Sequence, residues 1–299
     1  MANISDTKNR IVSVENTHKI TNAMYLISST KLQKAKQNLN KARPFFEMME
    51  NEIKRIFQTE ADVRSRYFYP ETGRKPAETY AYLVITADKG LAGSYNYNVI
   101  KQAAFEMEKH KKVKLYVVGE FGRRYYHKHH IPIEHSFLYT AQNPTMHRAR
   151  EIAHILLTEY DAGRVDEIRV IYSDMENELN STVKRVNLLP FERKPFMTPQ
   201  AEKSGRDIHY QFYPSVTEVI NNMMPAYISG FIFGALVDSF SAEQNARIRA
   251  MDSANKNAME ILGGLRLQYN RVRQAVITQE ITEISAGAKA QKNAHKGGR

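Results

Sequence analysis

The chain has 299 residues, of which 42% are hydrophobic, and 43 Lys and Arg against 32 Asp and Glu give it a formal net charge of +11. It contains no cysteine, which excludes disulfides, thiolate metal sites and a cysteine nucleophile, and fits a reducing compartment. A mean hydropathy of −0.53 and a pI near 9.5 suit long solvated helices beside an ordinary core. They also favour an acidic partner, whether nucleic acid, an anionic membrane or an acidic protein surface.

The first 57 residues carry a heptad stripe. Ile4, Ile11, His18, Tyr25, Leu32, Leu39, Phe46 and Ile53 are spaced by seven, and Thr7, Val14, Thr21, Ser28, Ala35, Ala42, Met49 and Ile56 follow each by three. That pattern predicts a left-handed coiled coil through residues 1–58, with small residues letting a partner helix approach closely. At 1.5 Å per residue the helix would be roughly 85 Å long. Pro44 is expected to break its hydrogen-bond ladder and bend it there. Between Asn16 and Phe46 lie Lys19, Lys31, Lys34, Lys36, Lys41 and Arg43 and no acid, which suits an acidic sleeve or, alternatively, a nucleic acid. Against the nucleic acid, aromatic residues and Arg are not interleaved into a stacking patch.

The texture changes over 76–195. "TYAYLVIT", "KVKLYVVG" and "EIRVIYS" are short runs rich in β-branched and aromatic residues, separated by amphipathic segments at 94–110, 121–130 and 144–162. This alternation predicts a Rossmann-like α/β insert with a parallel sheet, to which "STVKRVNLLP" adds an edge strand. From 212 to 286 the series Met251, Ala258, Leu265, Val272 and Leu262, Tyr269, Val276 predict a second long helix, antiparallel to the first. Residues 287–299 form a basic tail. The N-terminal "MANISDTKNR" lacks an apolar signal stretch, and the most apolar run, 226–237, is too short to cross a bilayer, so a soluble chain is expected. The fold expected is α/β plus coiled coil.

Chemistry is sparse. The strand-to-helix turn "VITADKGLAGSYN" has Gly90 and Gly93, but its Lys89 precedes the glycines, so it makes neither a P-loop nor a three-glycine dinucleotide loop. A helix N-terminus beside Ser94 that holds an anion and a purely structural turn both remain open. His127, His129 and His130 fall at spacings unsuited to a helical metal site, and no carboxylate comes before Glu134. No catalytic, cofactor or metal set is expected.

The terminal segments "NRIVSVENTHKITNAMYLISSTKLQKA" and "SAEQNARIRAMDSANKNAMEIL…LQYNRVRQAVITQEITEISAGA" closely resemble the gamma subunits of bacterial rotary (F-type) ATP synthases, and "TADKGLAGSYN" resembles that family's middle-domain signature. The resemblance implies a non-catalytic central shaft. Its antiparallel coiled coil would turn inside three alpha and three beta subunits, and its insert would meet the epsilon subunit and the membrane c ring. Proton flow would drive it, at the cytoplasmic face of the cell membrane. It further implies beta-subunit contacts at Met24, Arg273, Gln274, Thr278 and Glu280, and epsilon or c-ring contacts at Asp88, Lys89 and Tyr210. Arg247 and Arg249, with Glu243 and Gln244, would pair with the N-terminal helix or with beta. Ala92 stands where the family often has Cys, so no thiol switch is expected at the turn.

Overall fold

The heptad stripe has a direct counterpart in burial. A computed structural model describes residues 4–59, 65–69, 77–138, 141–175, 181–197 and 211–296, and its first helix, α1, runs Ile4–Thr59. None of the stripe positions is exposed; Thr7, Ser28, Ala35, Met49, Ile53 and Ile56 are buried and the rest half-buried. The helix continues through Pro44, which has no N–H and so interrupts the hydrogen-bond ladder there without ending it. Pro44 and Asn40 both face solvent, so water can take the carbonyl that the proline leaves unbonded.

The chain divides into two units, Met1–Ile27 with Ile248–Arg299, and Ser28–Arg247. This differs from the expected division into two coiled-coil helices, an α/β insert and a basic tail. Residues 28–59 of α1 and the first half of α6, which runs Val216–Lys296, fall in one unit with the sheet. Their apolar faces form a single core with it: Ile53, Ile56, Ile220, Met224, Ile228, Ile232 and Leu236 pack with Leu83, Ile85, Tyr116 and Val118. One 18-residue stretch of α6 is apolar enough to cross a membrane, yet 61% of it is buried inside the protein. Its hydrophobicity is accounted for by this core. The segment taken as a separate basic tail continues the same helix as far as Lys296.

In the larger unit β1 (Thr79–Ile85), β2 (Lys112–Val118), β3 (His135–Phe137), β4 (Glu167–Met175) and β5 (Ser181–Leu189) form one sheet in the order β3-β2-β1-β4-β5. The first four are parallel; β5 lies at the sheet edge, as its alternating pattern and terminal Pro190 predict, and runs antiparallel to β4. The period-2 alternation sorts the strands' side chains onto two faces. Leu83 and Ile85 face α1, α6 and α4 (Met146–Asp161), whereas Tyr82 and Val84 face α2 (Tyr95–Met107) and α3 (Glu120–Lys128). The four-residue helix α5 (Lys194–Met197) adds Phe196 to the first core. Within the same unit α1 and α6 meet at Gly230, where an added Cβ would lie 2.0 Å from the Phe46 ring, so only glycine permits this approach.

A buried polar network closes the N-terminal edge of the sheet. Arg169 donates to Glu167 at 2.9 Å, to the Tyr82 hydroxyl at 3.0 Å and to His110 Nε2 at 2.7 Å. An arginine can only donate, so His110 carries its proton on Nδ1, and its ring stacks on Tyr80 at 3.6 Å. Burial, and then the Arg169 charge, push the His110 pKa below the usual histidine value. The fold therefore favours the neutral imidazole. The stability this contributes is full above the ordinary histidine pKa of about 6.5 and is lost as pH falls through the lower folded value. His110→Gln keeps an acceptor for Arg169 but does not titrate. In urea unfolding its deficit relative to wild type should shrink, or reverse, between pH 7.5 and 5; a pH-independent difference would refute the assignment.

Candidate functional site

The β1–α2 turn is held from three sides. Thr86 Oγ1 donates to the Val118 carbonyl at 2.8 Å and accepts from Gly122 N at 3.0 Å. Asn96 Oδ1 accepts from Ala87 N at 2.9 Å. Asp88 Oδ1 accepts from Glu120 N at 2.9 Å and so caps α3, whose own N-cap position is Gly119, with no side chain to do it. The Asp88 carboxylate is thus half-buried with its Oδ1 bonded within the chain, and exposed Lys89 is the member of the pair turned to solvent.

In doubly wound sheets a ligand lies in the crevice where the strand order reverses, here between β1 and β4. That crevice is filled by α6. Tyr95 and Ser239 share a hydrogen bond of 2.8 Å, and Ser239 also accepts from Ser173 N on β4 at 3.4 Å. Ala242, with no exposed surface, packs on Ala87, Ala92 and Tyr95. Arg247 donates to Glu243 at 2.6 Å and to the Gly90 carbonyl at 2.9 Å. The Glu243–Arg247 pair therefore closes on itself and on the turn, where the resemblance implied pairing with the N-terminal helix or with beta. Burial holds the Tyr95 phenol protonated, far above its usual range, and pushes the Glu243 pKa up against the pull of Arg247. A nucleotide at this turn would have to displace the helix, so the structural reading of the turn prevails over the anion site.

Leu91 at the tip of the turn was not singled out by sequence. It has φ +62, rare for a branched residue, and is 65% exposed. Its signal was present in the two flanking glycines, which mark a tight turn whose middle must point outward. The three histidines are exposed at the end of α3, with His129 bonded to the Tyr125 carbonyl at 2.8 Å and stacked on that ring. Among the described residues no three His, Cys, Asp or Glu come together.

The remaining candidates lie on the long helices. In the unit of Met1–Ile27 with Ile248–Arg299, Glu15 accepts from Arg266 at 2.8 Å and Thr21 donates to Asn255 at 2.5 Å, so the helices run antiparallel. Met24, half-buried, lies near the level of Asn255, about 30 Å along the axis from Arg273. The structure therefore does not bring Met24 together with the other four. From Arg273 to Lys289 every residue of α6 is exposed, including Gln274, Thr278 and Glu280, and with them Ile277, Ile281 and Ile284. Thr278 Oγ1 donates back to the Gln274 carbonyl at 2.8 Å, an ordinary helix-surface contact. Tyr210 lies outside the described residues.

The unit with the sheet is thus an α/β body whose switch-point crevice is closed by α6, and the far end of α6 is left uncovered. The family model described as ATP synthase matches residues 3–291. An ATP synthase gamma chain of Caldanaerobacter subterraneus subsp. tengcongensis is 44% identical over 287 residues, covering 93% of this chain and 97% of that one. One of Acetobacterium woodii, named as sodium ion specific, is 34% identical over 301 residues, covering 96% and 98%. A chain of the Euglena gracilis mitochondrial ATP synthase (OSCP/F1/c-ring, rotational state 3) shares the fold with a TM-score of 0.66 at 16% identity, covering 96% and 94%. A central stalk/c-ring chain of the Tetrahymena thermophila enzyme does so with a TM-score of 0.61 at 24% identity, covering 79% and 99%. The chain belongs to the ATP synthase gamma-chain family. These relatives give the nucleic-acid alternative no support.

Proposed function

We propose that this chain is the non-catalytic rotor shaft of an ATP synthase, coupling rotation of a membrane c ring to conformational cycling of catalytic beta subunits. The observation that carries the reading is the bare end of α6. A helix with Ile277, Ile281 and Ile284 at 46%, 59% and 73% exposure needs a sleeve around it, and a ring of alpha and beta subunits, three of each, would be that sleeve. Arg273, Gln274, Thr278 and Glu280 would touch beta there, with Arg273 and Gln274 supplying directional hydrogen bonds to a beta loop. Met24 would slide past acidic loops lower down, its soft unbranched side chain giving little preference for one stop. Lys89, and Tyr210 beyond the described residues, would meet epsilon or the c ring. The complex would sit peripherally at the cytoplasmic face of the cell membrane. We assign proton flow as the drive; because a relative named as sodium ion specific is this similar, the choice of ion would lie outside this chain.

The test is made in the assembled complex. Affinity purification through this chain should recover alpha, beta and epsilon with magnesium-dependent ATPase activity, and their absence under gentle conditions defeats the proposal. In vesicles, Met24→Lys should leave ATP hydrolysis largely intact while ATP-driven ion pumping falls several-fold, because an added charge favours one rotational stop. Unchanged pumping per ATP hydrolysed would remove Met24 from the contact.

A further inference from the structure

In the larger unit α1 and α6 line a cleft of about 440 Å³, separate from the turn. Phe46, Tyr227 and Phe231 wall it, and Gly230, Gly234 and Asp238 follow one another at four-residue steps on the face of α6 that lines it. Gly230 is required by the contact with Phe46, but nothing lies within 4 Å of a Cβ placed on Gly234, so that glycine leaves a hollow in front of Asp238. A glycine inside a helix costs about 1 kcal/mol relative to alanine, which the hollow does not repay through packing.

The charges around the cleft are paired except for one. Arg43 holds Glu47 at 2.7 Å, Lys54 holds Glu50 at 2.6 Å, and Lys184 holds Asp174. Asp238 is half-buried and has no hydrogen-bond or ion-pair partner among the described residues. Burial, and then the Asp174 charge, raise its pKa to about 6 against the weaker opposing pull of Lys184 and of Arg43, which lines the same cleft but is bonded to Glu47. At neutral pH the protein therefore keeps an unpaired carboxylate at the floor of an aromatic-walled cleft, an unfavourable arrangement that a cation would relieve. Aromatic faces attract an organic cation through their quadrupole, and the other carboxylates that line the cleft, Glu47 and Glu50, are already held by Arg43 and Lys54.

We propose that this cleft is a binding site for an organic cation head group, an alkylammonium or guanidinium, carried either by a basic side chain of a neighbouring chain or by a free amine. The head group pairs with Asp238 while its aliphatic stem lies against Phe46 and Phe231.

The probe is n-butylguanidinium, titrated calorimetrically at pH 7.5 into the full-length chain and into the intact complex, with neutral n-butylurea as control. Saturable binding to the chain is expected, weakened at least tenfold in Asp238→Asn and several-fold in Phe231→Leu, with no binding of the urea. Exclusion of the probe from the complex identifies a neighbouring chain's basic side chain as the occupant; equal binding to chain and complex identifies a free amine. Non-saturable binding, or equal affinity for wild type and a folded Asp238→Asn, overturns the site. Asp238→Asn relieves a buried charge and should fold at least as stably as wild type, so a loss of binding cannot be put down to unfolding.

Discussion

Gly119→Ala is expected to lower the stability of the α/β unit by about 3 kcal/mol or more, measured by urea unfolding of the full chain followed by circular dichroism. Two costs add. Gly119 has φ +96 and ψ 143, a region nearly closed to residues with a Cβ, and such backbone strain costs about 1–3 kcal/mol. The added methyl would also lie 2.3 Å from the Thr86 carbonyl oxygen and 2.8 Å from that of Ala87, both main-chain atoms that cannot turn aside. Those carbonyls belong to the turn just after β1, so relieving the clash would drag the turn away from α3. Gly163→Ala is the control. Its φ is +67 but nothing lies within 4 Å of the new Cβ, so it should cost only about 1 kcal/mol. Equal losses in the two variants would show that contact with β1 does not dominate at Gly119.

Arg247→Met is expected to cost about 3–5 kcal/mol at neutral pH, because it strands the buried Glu243 carboxylate rather than because the pair itself is strong. The two side chains are only 9% and 7% exposed, and Arg247 also satisfies the Gly90 carbonyl. Changing Glu243 to Met as well should recover more than half of the loss, since an apolar pair leaves no charge behind. The pH dependence has a definite sign. Burial raises the Glu243 pKa in the fold and removing Arg247 raises it further, so the protonated form is the one the fold tolerates. The variant's deficit should grow as pH rises through that folded value and shrink as pH falls below it. A double variant no more stable than Arg247→Met would mean that the Gly90 contact, not the stranded charge, accounts for the cost.

Much of this architecture could be read in the sequence because it repeats. The stripe through Ile4, Ile11 and their successors recurs every seven residues, and burial follows it along the length of α1. β1, β2 and β4 announce themselves as short runs rich in β-branched and aromatic residues, because most of each strand is covered on both faces. β3 was missed because His135–Phe137 is too short to show a period. The filling of the crevice was missed for another reason: Tyr95 and Ser239 are 144 residues apart, and a serine on a long helix looks like any other surface position. The small-residue run Ser239, Ser241, Ala242 was the available clue, since such a run permits a backbone to approach closely. The cap that Asp88 supplies to α3 was not legible because its partner is a main-chain N–H, and capping across elements leaves no spacing signal. The contacts of Met24, Arg273, Gln274, Thr278 and Glu280 depend on other chains, and a single chain's packing energetics do not encode them.

The seat that α6 takes against the β1–α2 turn has a consequence for how force travels. A helix held on a sheet by interdigitated apolar side chains alone can slip by small rotamer changes. Here Tyr95, Arg247 and the Gly90 carbonyl fix α6 through short, directional bonds, and Asp88 fixes the same turn to α3. A twist applied to the sheet therefore reaches the helix through stiff couplings with little lost motion, as through a keyway cut where kindred folds would hold a cofactor.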